Sequence, residues 1–255
     1  MNPELDILWP AFVVGVLVTA THAPLGIQVL ERGIVFIDLA VAQIAGLGVI
    51  LADSLGFEPR GVAVQASALG AALAAALLLN WTERRWPEVQ EAVIGASFIV
   101  AANLAILLLA ANPHGAEHLK DLLAGQLLWV NPAQLPLLGV LSAALVAVWF
   151  GARARAGRTG FYLLFACAVT ISVQLVGVYL VFATLIVPAL ATHRFARRRL
   201  AACYAVGVAG YALGLVASAV YDLPAGPLVV CALSALGAAL FALGPRLKLP
   251  PPAAT

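Results

Sequence analysis

The chain has 255 residues, of which 63% are hydrophobic and 10% charged, with a formal net charge of +2 and a mean hydropathy of +1.02. This composition excludes an ordinary soluble domain and belongs to the polytopic membrane class, with no nucleic-acid partner expected. Its three cysteines, Cys167, Cys203 and Cys231, lie in apolar runs without clustered spacing, so neither a disulfide framework nor a zinc-finger site is indicated.

The first run, near 5–22, follows the acidic start "MNPELD". A cleavable signal peptide wants a basic leading region, so this run is expected to be retained. It ends at His22, just before Pro24. An imidazole there either ligates a divalent metal or caps the free carbonyls of a helix C-terminus. The second run, 33–52, carries Asp38 and Gln43. A carboxylate at the centre of a span costs roughly 2.5–3.5 kcal/mol on insertion scales. Asp38 is therefore read either as path-lining and ion-binding, or as a structural hydrogen-bonding group close enough to the span's end to snorkel. At 100° per residue Asp38 and Gln43 differ by about 140° and do not share a face.

Further spans are read near 61–80, 92–111 and 135–151. Between the last two lies "HGAEH", with His114 and His118 in the H-x-x-E-H pattern. That spacing on a helix is an inverted zinc-protease motif, but the stretch follows "ANP", contains Gly115 and lacks the rest of a protease site. A solvated loop, or a surface site that briefly holds metal near a pore mouth, fits it better. Residues 160–192 are apolar throughout, too long for one span and tight for two, with Ser172, Gln174, Gly177 and Pro188 as candidate breaks. Gln174, beside that break, could line a path or bond a neighbouring helix. Two more spans are read at 200–220 and 227–244, before a Pro/Ala-rich tail over 249–255.

The cations order these spans. Arg32, Arg84, Arg85, Arg153, Arg155, Arg158, Arg194, Arg197, Arg198, Arg199, Arg246 and Lys248 are twelve of the fourteen Lys and Arg residues. All twelve fall on one side if the N-terminus is outside, the C-terminus inside and 160–192 crosses twice or enters and returns, which obeys the positive-inside rule. The expected fold is all-α: one polytopic transmembrane helical bundle over 1–248, with about eight or nine crossings and a broken or re-entrant segment near 160–192. Small residues in "ASALGAALAAA" and "GVAGYALG" suit close helix packing. No glycine-rich nucleotide loop occurs, so the chain is expected to be a transport subunit and not itself an ATP-hydrolysing enzyme.

Four stretches carry a family likeness: "PLGIQVLERGIVFIDLAVAQIAGLGVILA", "EAVIGASFIVAANLAILLL", "DLLAGQLLWVNPAQL" and "SVQLVGVYLVFATLIVPALATHRFARR". In this order, over residues 23 to 199, the chain resembles the integral membrane permeases of ATP-binding-cassette importers for zinc, manganese and iron. The resemblance implies a homodimer in the cytoplasmic membrane. It also implies a cytoplasmic ATP-binding subunit, an extracytoplasmic metal-binding protein and a transported divalent metal ion, with no resident cofactor. It matches Asp38 to the family's path carboxylate; with the residue reading above, Asp38, Gln43 and Gln174 are the candidates along the translocation path and Asp38, His22, His114 and His118 the candidate metal ligands. Arg84, Arg85, Arg153, Arg155, Arg158, Arg197 and Arg198 become the candidate ATPase contacts. Two departures stand out. The family commonly pairs the Asp of the second span with a His one turn on, where this chain has Ala42. The segment before the V-G-x-x-L-V run is reduced to "GARARAGRTG", so coupling to an ATPase is expected either to be altered or to rest on "HRFARRRL" and "ERRWPEVQEA". An ATPase-uncoupled metal-handling or assembly protein and an ion-coupled secondary transporter are the alternatives.

Overall fold

A computed structural model describes residues 3–58, 61–109, 123, 125–195 and 197–243, with side chains left out at 3–6 and 152–156. Among the described residues the chain folds as α-helices. They are α1 (Pro3–Arg32), α2 (Ile37–Ser54), α3 (Val62–Arg85), α4 (Gln90–Leu109), α5 (Leu135–Val176), α6 (Val178–Ala191), α7 (Arg199–Tyr221) and α8 (Ala225–Leu243). Three single-turn 3₁₀ segments lie at Pro87–Val89, Leu127–Trp129 and Pro132–Gln134. Eight stretches are long and apolar enough to cross a bilayer, two of them the arms of α5, and α6 is a ninth, shorter apolar helix. In hydrocarbon every peptide group needs a partner from the chain itself, which is why apolar runs of this length become helices.

α1 is longer than its sequence suggests. It continues ten residues past His22, through Pro24, to Arg32, so His22 does not cap a helix end and the capping reading is overturned. Proline has no N–H, and inside a helix it leaves the carbonyl four residues earlier without its bond. Here that carbonyl belongs to Ala20, and the hydroxyl of Tyr204 in α7 donates to it at 3.2 Å. A neighbouring helix thus supplies the missing donor. α1 stops at Gly33 (φ 70). There Ile34 N–H reaches Val29 O and Gly33 N–H reaches Leu30 O, each at 3.3 Å, a Schellman ending that needs a left-handed residue.

α5 is a hairpin. Its helical bonding runs through the basic stretch 151–156, and Gly157 (φ 58, ψ −154) is its non-helical residue. Where the sequence suggests a short loop, there is a helical corner. Trp149 and Phe161 meet edge to face across it at 6.2 Å. The second arm ends at Gly177 (φ 80, ψ 164), a backbone conformation essentially restricted to glycine. Gly125 packs directly on the Val176–Gly177 peptide, where a side chain on Gly125 would collide with backbone. Of the four candidate breaks, Gly177 is the one used. Ser172 and Gln174 sit in regular helix, and Pro188 lies inside α6. α6, at 14 residues, is only about 21 Å long against a hydrocarbon core of about 30 Å.

The helices pack in two groups. α2 lies against α3 and α4, while α1 lies against α6 and α7, and α8 against α6 and α7. α5 touches both α1 and α3 and joins the groups. One core runs through both, with Tyr162, Phe165 and Val169 of α5 packed among Val14, Leu25, Val41 and Leu180. The expectation of small-residue packing is met in α7. A side chain at Gly207 would strike Thr19, one at Gly210 would strike Leu233, and one at Gly214 would strike Val229. α2 and α3 close on each other through Ser67, whose hydroxyl donates to Gly48 O at 2.8 Å.

The Pro24 repair is measurable. Tyr204→Phe should lower stability by about 1 kcal/mol, the net worth of a hydrogen bond whose loss orphans its acceptor. In a Pro24→Ala background the new amide can serve Ala20 O, so the same substitution should have little effect. Melting temperatures of the four proteins in one detergent give the coupling. An equal loss in both backgrounds would show that Tyr204 does not repair the proline.

Candidate functional site

Asp38 lies in the first turn of α2 and not near its middle, because the chain turns at 33–36 and the helix begins at Ile37. Two contacts hold this end in place. Phe36 N–H donates to Glu91 Oε1 at 3.2 Å, and the Phe36 ring stacks on Phe182 of α6 at 6.3 Å. Asp38 itself has 0% exposure, and neither carboxylate oxygen has a hydrogen-bond partner. Within the single chain Asp38 neither reaches an interface nor bonds a neighbouring helix. The helix N-terminus favours a carboxylate by about 0.3–1 kcal/mol, well short of the several kcal/mol that an unpaired buried charge costs.

Gln43 is also enclosed, at 3% exposure, with Oε1 unbonded. α2 is buried on several faces, from Ile37 to Ala52, so a difference of about 140° in direction does not bring Gln43 to the surface. Ala42, one turn from Asp38, has 0% exposure. A histidine there would have to displace packed neighbours, at about 1–3 kcal/mol.

His22 is fully buried in the interior of α1. Its Nδ1 lies 3.0 Å from Val18 O and 2.9 Å from Thr21 Oγ1. A carbonyl only accepts, so Nδ1 carries the proton and Nε2 keeps a lone pair in the neutral ring. Nε2 has no partner. The hydroxyls of Thr19 on α1 and Thr170 on α5 are likewise buried and unbonded. Three helices therefore present enclosed polar atoms without protein partners, against the strong tendency of buried polar groups to pair. Among the described residues no three His, Cys, Asp or Glu side chains assemble into a metal cluster. Gln174 is exposed on the single chain, so the chain alone does not gather it with Asp38 and Gln43. His114 and His118 lie outside the described residues.

The arginines gather at one end of the bundle. Arg199 at the start of α7 pairs with Glu31 near the end of α1 at 2.8 Å. Arg84 at the end of α3 donates to Thr159 Oγ1 at 2.7 Å, and Arg158 lies 3.6 Å from Glu83. Arg194 stands over Phe241 at the end of α8, 4.2 Å from its centroid. Arg84, Arg85, Arg158, Arg197 and Arg198 are exposed, while the side chains of Arg153 and Arg155 are outside those described. The sequence does not disclose what stiffens this end. Gln90 donates to Leu79 O at 3.0 Å and to the Tyr162 hydroxyl at 3.3 Å, and accepts from Thr82 Oγ1 at 2.9 Å. This network ties α3, α4 and the α5 corner together. Its only sequence signal is a glutamine at the start of an apolar run.

The sequence profile of the ABC 3 transport family matches residues 4–155 and 147–243. The chain is 25% identical over 253 residues to the high-affinity zinc uptake system membrane protein ZnuB of Haemophilus influenzae, covering 88% of this chain and 93% of that protein. It is 21% identical over 247 residues to a Chlamydia trachomatis protein named as a probable metal transport system membrane protein, covering 88% and 84%. Its fold is that of a chain in the structure of PsaBC from Streptococcus pneumoniae in complex with Fab, with a TM-score of 0.75, 20% identity and 94% of each chain covered.

Proposed function

The chain belongs to the ABC 3 transport family, and from that membership we propose that it is the membrane-spanning permease of a metal-ion importer whose ATP hydrolysis resides in a separate cytoplasmic subunit. Asp38 carries the metal reading. An enclosed carboxylate with neither oxygen bonded suits a site whose counter-charge arrives with the cargo. The relatives named for zinc and metal transport support the same cargo class. With Ala42 where the family commonly has histidine, the path offers the oxygens of Asp38 at this level, and Gln43 contributes on another face of α2. Oxygen ligands favour harder cations such as manganese over zinc. His22, through its free Nε2, is the one nitrogen donor in the described spans that could add to the path.

Family membership supports a homodimer, in which the exposed Gln174 would face the path between the two copies. His114 and His118 are proposed to receive metal from an extracytoplasmic binding protein. The basic end is read as cytoplasmic by the positive-inside rule, which sets the N-terminus outside and the C-terminus inside the plasma membrane. Its exposed Arg84, Arg85, Arg158, Arg197 and Arg198, with Arg153 and Arg155 in the same corner, are the proposed ATPase contacts. The rigid corner of α5 and its Gln90 network would take the place of the longer segment that the family usually carries there.

Asp38→Asn keeps shape and removes charge. Because neither oxygen is bonded in the protein, the variant should accumulate in the membrane at the normal level. Uptake of divalent cation should fall by about tenfold or more, the scale of a lost charge-assisted contact of roughly 1.5–3 kcal/mol. Full uptake by Asp38→Asn at matched membrane levels would end the claim that this carboxylate meets the cargo.

Orientation is read by thiol labelling in sealed cells after replacing the exposed Cys231. A membrane-impermeant reagent should modify Leu55→Cys and leave Arg197→Cys untouched, and the reverse pattern would invert the topology. In mild detergent an ATP-binding subunit should co-purify with the native chain and be lost on combined charge removal at Arg84, Arg85 and Arg197. Its absence from the native preparation would favour the ATPase-uncoupled reading.

A further inference from the structure

At the basic end of the bundle, the last turns of α1 and the corner of α5 enclose a cavity of about 260 Å³. Its walls include Gln28 and Arg32 from α1 and Trp149, Arg158, Phe161 and Leu164 from α5. No carboxylate is among the described lining residues. The Arg32 guanidinium lies over the Phe161 ring, 4.3 Å from its centroid. A guanidinium held over a ring still has N–H donors that can take an oxyanion in paired fashion. Arg158 stands 3.6 Å from Glu83 with its side chain 44% exposed. That separation is longer than a hydrogen-bonded ion pair, so Arg158 also retains donors.

The remaining walls are apolar. Trp149 is 5% exposed and packs edge-on against Phe161, with Leu164 one turn further along the second arm. The first arm of α5 is the least covered of the candidate spans, with 11% of its window buried. Val148, which also lines the cavity, is 49% exposed, so the cavity opens onto an apolar face of the bundle and joins a cationic floor to a hydrophobic side. A water-borne ion has no use for that hydrophobic side. A molecule with an anionic head and an apolar body fits both. Basic pockets between spans, with aromatic side chains at the interface, are where anionic headgroups dock.

We propose that this cavity holds the phosphate headgroup of an anionic phospholipid, bound by Arg32 and Arg158, with the acyl chains running along Trp149 and Leu164. The lipid would brace α1 against the α5 corner, next to the Thr159 hydroxyl that takes Asn80 and Arg84. The site does not depend on which metal is carried, and because Arg158 is shared with the proposed ATPase contacts, the test is read at Arg32.

The test uses the full chain purified in mild detergent and exposed to phosphatidylcholine vesicles with or without phosphatidylglycerol. Lipid retained per chain is then counted by mass spectrometry. The native chain should retain phosphatidylglycerol in preference to phosphatidylcholine. Arg32→Gln should weaken that retention by about fivefold, the effect of one cation near an anionic surface, and Arg32→Lys should keep most of it. Leu164→Trp leaves both arginines in place and fills the apolar wall; it should lower retention too, and it carries the test if Arg32→Gln fails to fold. Equal retention of the two lipids, or unchanged phosphatidylglycerol in the folded variants, overturns the proposal. So does inorganic phosphate held by the lipid-free chain with the same Arg32 dependence and no lipid preference, which would make this a free-anion site. Loss of ATPase co-purification in Arg32→Gln with lipid retention unchanged would assign the cavity to a protein partner and overturn it as well.

Discussion

Every peptide group within the hydrocarbon must be bonded by the chain itself, and the architecture follows from how that demand is met at irregular points. Regular apolar helix meets it without help. Pro24 does not, and the Ala20 carbonyl it frees is served by Tyr204 from a helix 180 residues further along. At Gly177 the helix stops altogether. The segment around Gly125 closes directly onto the exposed peptide, so the break is covered by protein. Irregular backbone at depth is tolerated in such places, and both repairs bind the group containing α1, α6 and α7 into one body.

Against that well-bonded backbone, the unbonded side chains stand out. Asp38, Gln43, His22, Thr19 and Thr170 each bury a polar atom without a partner. In a core shaped only for stability such atoms would be paired or absent, since each costs about 1–3 kcal/mol. They lie on α1, α2 and α5, in stretches that are largely buried within the bundle. The elements that hold them are rigid: Asp38 stands on a turn fixed by Phe36 through Glu91 and Phe182.

The basic end is built on different terms. Its arginines are exposed or paired at the rim, where ion pairs contribute little to stability. The buried Gln90 network beneath them supplies the stiffness. This division leaves the charges available for partners while the corner of α5 keeps its shape. A helical corner at Gly157 joins the two arms of α5 where the sequence suggests a loop.

The sequence by itself determined the membrane class, the alternation of spans and the gathering of cations at one end. These depend on local hydrophobicity and charge, which a linear reading captures. It also singled out Asp38, because a carboxylate within an apolar run is conspicuous without any partner. The family likeness came from short motifs for the same reason. What the tertiary structure decided are properties of pairs distant in sequence. His22 reads locally as a helix end before a proline, yet Tyr204 lets α1 run on to Arg32. Four residues could have broken 160–192, and only at Gly177 does another segment cover the gap. Asp38 sits near a helix end, where exposure is the natural guess, and the packing around α2 encloses it completely. The cavity between Arg32 and Trp149 has no sequence signature at all, because it exists only where the end of α1 meets a corner more than a hundred residues away.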